Sequence, residues 1–207
     1  MSDISMDRKE FLSNVGKCCL GTCLCTIVGG FDNLHAQESD QQKSQQLEKP
    51  RSEERIKFAE QWVKRFFAVM DSTLDEKTRR QLMMANGKAC YRNWIEDTKQ
   101  VLKPVTLEQF ASWVKNNVKD ESYQVDGKVI HFQYMSAAET GLPSDESACL
   151  CPLVETKPKG LSATYCICSV GYVKEMHEMY LNRPVEVELV DSVLMGGKRC
   201  RFKITVA

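Results

Sequence analysis

Along this chain the spacing of apolar residues changes from three-and-four to two, and that change limits the fold more than any single motif. Ile56, Ala59, Val63, Phe66, Phe67 and Met70 recur at helical spacing, which predicts a helix over 53–72. A second helix is expected over 76–85, with Gly87 as an interruption and a resumption over 89–98 before Pro104. Thr106 and Gln109 have capping-box spacing, ahead of an inner face of Leu107, Phe110, Ala111, Val114 and Val118. The period then shortens. Segments 122–125 and 128–134 flank Asp126-Gly127, a dipeptide suited to a two-residue hairpin loop. Ser169 is placed to cap a helix over 170–181. Val185, Val187 and Leu189 alternate with polar neighbours, and Cys200, Phe202, Ile204 and Val206 do the same after Gly196-Gly197. The expected fold class is α+β, with amino-terminal helices packed on a mainly antiparallel sheet and a carboxyl-terminal helix-hairpin unit. Trp62, Trp94 and Trp113 are expected in the core, with a cavity between helices and sheet as a natural small-molecule site.

The first 36 residues have the order of an export signal. The basic pair Arg8-Lys9 precedes an apolar run from about Cys18 to Gly30, and Leu34-His35-Ala36 offers small-residue cleavage before Gln37. Arg8-Lys9-Glu10-Phe11-Leu12 is similar to a twin-arginine signal, with lysine in the second arginine position. The run is too short for an ordinary transmembrane helix. Residues 37–54 are Gln-rich and polar, and read as a flexible linker to a domain over 55–207. The expected location is periplasmic or otherwise exported, with the export machinery as a partner. Lys+Arg and Asp+Glu both number 28, so the chain lacks the basic excess that nucleic-acid binding draws on.

Ten cysteines are many for 207 residues. The segment "CLCPLVETKPKGLSATYCIC" begins with Cys149 and Cys151 and ends with Cys166 and Cys168, and Cys200 follows. Were each Cys-x-Cys on a strand, both sulfurs would leave the same face and two pairs would supply four thiolates. Tetrahedral zinc and iron–sulfur clusters both take such a set. The expected metal ligands are therefore drawn from Cys149, Cys151, Cys166, Cys168 and Cys200, with zinc first and an iron–sulfur cluster as the alternative. Three other readings stand beside this one: two disulfides, buried unpaired thiols, and a catalytic thiol. Disulfides suit an oxidising compartment, and sequence does not choose among their three pairings. Cys90 reads as helix core, His131 as structural or exposed, and His177 as surface or packed. Glu175 and Glu178 flank His177 without the two-histidine zinc-protease pattern, and Glu178 is expected in solvent.

The stretch "YCICSVGYVKEMHEMYLNRPVEVELVDSVLMGGKRCRFKITV" has a cysteine ahead of a glycine-containing helix. It continues with Arg183-Pro184-Val185, a Gly-rich turn, and Cys200, Phe202 and Ile204 at alternate positions. It resembles the 4-vinyl reductase-type small-molecule-binding domain. It is also similar to the family named for L-2-amino-thiazoline-4-carboxylic acid hydrolase, in which a Cys-Pro such as Cys151-Pro152 precedes the region. The resemblance implies an α+β fold with a cavity, and a metal, usually zinc, held by cysteines and a glutamate. Cys200 would match the final ligand and Glu188 the glutamate, while the preceding cysteine position falls on Ser192. The hydrolase resemblance implies opening a C–N bond of a small cyclic acid and assigns no catalytic residue. Three functions follow as expectations: an exported small-molecule-binding domain with a cysteine-rich metal site, a hydrolase of that kind, or a disulfide-stapled structural domain.

Overall fold

The structure, a computed structural model, describes residues 38–119, 121–134, 149, 151 and 159–207, with side chains from Ser52 onward. Residues 1–36, expected as an export signal, the loop around Gly141 and Pro143, and Pro152 lie outside the described residues. Among the described residues, four helices are α1 (Glu38–Thr73), α2 (Glu76–Thr98), α3 (Leu107–Asn117) and α4 (Ile167–Leu181). Among the same residues four strands, β1 (Tyr123–Asp126), β2 (Val129–Gln133), β3 (Val185–Asp191) and β4 (Arg201–Val206), form one antiparallel sheet of order β1-β2-β4-β3. The fold is α+β, as the change of period implies. Among the described residues no helix is long and apolar enough to cross a membrane.

Helix α4 lies against β3, and α2 lies along α4 in the most extensive helix contact among the described residues. The main core fills the space between helices and sheet with Tyr91, Phe110, Phe132, Phe202 and Ile204, all nearly inaccessible. Trp113 is buried there and Trp94 packs at its edge, whereas Trp62 is 51% exposed on α1 and lies outside this core. A second, smaller core of Phe67, Met70, Met83, Leu161 and Tyr165 sits where α1, α2 and the start of α4 meet.

Several boundaries differ from the sequence reading. Residues 37–54, expected as a flexible linker, run as helix from Glu38 onward. Their Glu, Gln and Lys are good helix formers. Helix α2 is continuous through Gly87, because the glycine serves packing and not termination. A Cβ on Gly87 would sit 1.9 Å from the Cys168 carbonyl oxygen, and one on Gly171 would sit 2.0 Å from that of Met84. The two glycines let the backbones of α2 and α4 touch. Asp75 caps α2 by accepting from the Thr78 amide at 2.9 Å, and the Thr106–Gln109 capping box is present on α3.

The hairpin loop is Gly127-Lys128, one residue later than expected, since Asp126 pairs with Val129. Gly127 supplies the positive φ of 55° that a type II′ loop takes at its first position. Ser169 lies inside α4 and does not cap it. The chain enters α4 through a 3₁₀ turn, Ala163–Cys166, whose cap is Ser162, accepting from the Thr164 amide at 3.1 Å.

Candidate functional site

Cys166 closes the 3₁₀ turn and Cys168 lies in the first turn of α4. The strand geometry expected to aim both sulfurs at one point is therefore absent. Residues two apart on a helix point in nearly opposite directions. The partners confirm it: Cys166 is buried and hydrogen-bonded to Ser192, while Asn86 of α2 donates to the Cys168 sulfur at 3.5 Å.

Cys151 is near both thiols. Its sulfur is 2.7 Å from the Tyr165 hydroxyl. Cys149, Cys151 and Cys168 all pack against the second core beside Phe67 and Tyr165. Burial, with a smaller part from the neighbouring thiols, pushes the Cys149 and Cys168 thiols up to about 11, against hydrogen bonds from the Cys151 amide to Cys149 and from Asn86 to Cys168. Burial also raises Cys166 and Tyr165, and again Cys151 adds to it. Cys90 on α2 shows the same pattern: its residue surface is exposed, yet its thiol is partly desolvated and raised further by Cys151. Desolvation is the largest cause at Cys90, Cys149, Cys166 and Cys168, and these four thiols stay protonated at neutral pH.

Five thiols thus form one electrostatic neighbourhood: Cys90, Cys149, Cys151, Cys166 and Cys168. Cys200 packs against the main core just before β4, and Glu188 is exposed on β3. Cys90 was missed by sequence reasoning because it stands alone; its place three residues after a packing glycine was the available signal. Asn86 and Tyr165 carried no signal, and Ser192 stood out only as the position where the resemblance expects a cysteine. Ser192 is fully buried and caps the 3₁₀ turn Val193–Met195 by accepting from the Met195 amide at 3.3 Å.

The site is tied down on one side by Asp71 of α1. Its carboxylate accepts from Thr164 at 2.7 Å and pairs with Arg79 at 3.5 Å, and Arg79 also donates to the Asp71 and Leu74 carbonyls. Burial pushes the Asp71 carboxyl up, but hydrogen bonds from Ser162 and Thr164 and the charge of Arg79 hold it below its usual range.

The histidines stand elsewhere. His131 is exposed on β2. His177 is only 2% exposed, with its ring among Phe110, Tyr123 and Phe132 and its Nδ1 2.8 Å from the Val173 carbonyl. Burial lowers its pKa to about 4. Glu178, expected in solvent, is held by Lys174 at 2.8 Å and Lys88 at 3.4 Å. Glu175 is buried against Arg92 at 2.6 Å and Lys88 at 3.3 Å.

The donor chemistry of the five thiols fits a thiophilic ion. Their aim is not that of a loaded site: among the described residues no three Cys, His, Asp or Glu side chains close on one point. No curated protein matches the chain. A family model described as a family of unknown function (DUF6144) matches residues 30–207, and the chain belongs to that family.

Proposed function

We propose that this chain is an exported domain whose cysteine-rich site takes up a thiophilic metal ion, zinc first, together with a small-molecule ligand. The observation that carries the reading is the position of Cys151, which is near enough to Cys90, Cys149, Cys166 and Cys168 for its charge to bear on each. Sulfur donors from α2, the start of α4 and the 149–151 segment are gathered at one junction, and buried protonated thiols are the groups that a metal ion deprotonates on binding. The ligand set differs from the one expected from sequence: Cys90 joins it and Cys200 leaves it. Ser192, where the 4-vinyl reductase resemblance expects a thiolate, stands beside Cys166. A bound ion would supply a cross-link between these elements and a Lewis-acid centre. We put the small-molecule ligand at this junction, since aromatic side chains fill the space between helices and sheet.

The hydrolase reading with a Cys166 or Cys168 thiolate nucleophile is the weaker one. Both thiols are raised in pKa, and His177, the one histidine on α4, is enclosed in the main core. The disulfide reading is separated by experiment. The full chain is prepared reduced, without chelator, and its metal and free thiols are counted. About one ion per chain is expected, lost in Cys151→Ser and retained in Cys200→Ser. A metal-free chain with oxidised cysteines overturns the reading in favour of the disulfide-stapled domain. Export is tested by sequencing the amino terminus of the protein recovered outside the cytoplasm, with cleavage after Ala36 expected.

A further inference from the structure

Helix α1 has a covered face and an uncovered one. Phe67 and Met70 are buried, and Val63 packs beside them on the second core. Phe58, Trp62, Phe66 and Val69, at four-, four- and three-residue spacing, form a different stripe. They are 66%, 51%, 42% and 58% exposed. Trp62 and Phe66 stack at 5.2 Å with 7° between their planes, so the stripe presents a continuous ring surface. Its apolar area is on the order of 500 Å². Two copies together would cover roughly 1,000 Å², the size at which specific association begins.

We propose that this face of α1 pairs antiparallel with the same face of a second copy, Phe58 lying on Trp62 of the second copy and the reverse. The charges support that arrangement. At 100° per residue Glu54 and Arg65 flank the stripe on the same edge, and a two-fold antiparallel pairing brings like edges together. With Phe58 on Trp62 of the second copy, Glu54 falls beside Arg65 of that copy, twice per dimer. A membrane surface fits less well. A surface-lying helix carries a basic excess, whereas 52–73 balances Arg55, Lys57, Lys64 and Arg65 with Glu53, Glu54, Glu60 and Asp71. The pairing is independent of the metal reading. It would hold α1 over the second core, because Phe66 meets Phe67 edge-on at 5.6 Å and Phe67 meets Tyr165 at 5.0 Å.

The test is sedimentation of the full chain. The unaltered chain is expected to dimerise, and Phe58→Glu to be monomeric with unchanged circular dichroism. Glu54→Arg and Arg65→Glu are each expected to weaken the dimer about tenfold or more, while an equimolar mixture of the two dimerises, since each reversed charge then meets its opposite. A chain that is monomeric throughout overturns the proposal. So does a dimer indifferent to all three substitutions, or co-flotation with anionic vesicles that depends on Phe58.

Discussion

A buried imidazole ringed by aromatic side chains resists a second proton, and His177 is such a group. Its pKa in the fold is about 4, against 6.5 when free. Below pH 6.5 the unfolded chain takes up a proton that the folded chain refuses until about pH 4. Stability is therefore lost as pH falls through that window, by roughly 3 kcal/mol at most. Urea titrations at pH 7 and pH 4.5 should show this loss, and His177→Gln should flatten it; an unchanged pH slope in the variant would assign the loss elsewhere. Gly87 sets a steric limit at the same scale. Gly87→Ala places a methyl 1.9 Å from the Cys168 carbonyl oxygen, and should cost about 2 kcal/mol or more by denaturant unfolding. Gly127→Ala meets no atom within 4 Å and bears only the strain of a φ of 55°, so about 1 kcal/mol is expected.

Between elements, the decisive contact is α2 on α4. Two glycines allow it, and Glu175 with Lys88 and Arg92 fixes its polar edge. Glu175→Gln leaves the two cations without their buried partner. Because Arg92 is 63% exposed and Lys88 31%, water takes over part of the loss, and about 1–2 kcal/mol is expected. Glu178 is the less buried carboxylate, so Glu178→Gln is expected to cost less, and a larger loss there than in Glu175→Gln would contradict this. This contact also marks what the sequence could disclose. The change of apolar period, the Thr106–Gln109 box and the alternation of Phe202, Ile204 and Val206 are local signals, and the structure shows each of them. Gly87 looks like a breaker because its reason lies on another helix. The Tyr165-Cys166-Ile167-Cys168 run carries β-branched and aromatic side chains suited to a strand, yet Ser162 starts a turn there and α2 holds the helix that follows.

Across the whole molecule, the main core closes the helices onto the sheet, and the second core gathers thiols from segments far apart in sequence. The two Cys-x-Cys pairs pointed to the neighbourhood. Membership depends on tertiary contact, so Cys90 stands outside the expected set, while Cys200 stands in it as the next cysteine and the final ligand of the resemblance, although its alternation with Phe202 points to the main core, where it packs. The central claim is that the thiols around Cys151 act as one donor set. A cobalt(II) titration of the reduced chain, followed through the near-ultraviolet sulfur-to-metal charge-transfer band, reads that directly. A saturable band is expected that survives Cys200→Ser and is lost in Cys151→Ser. No band, or a band that depends on Cys200 and not on Cys151, would contradict it.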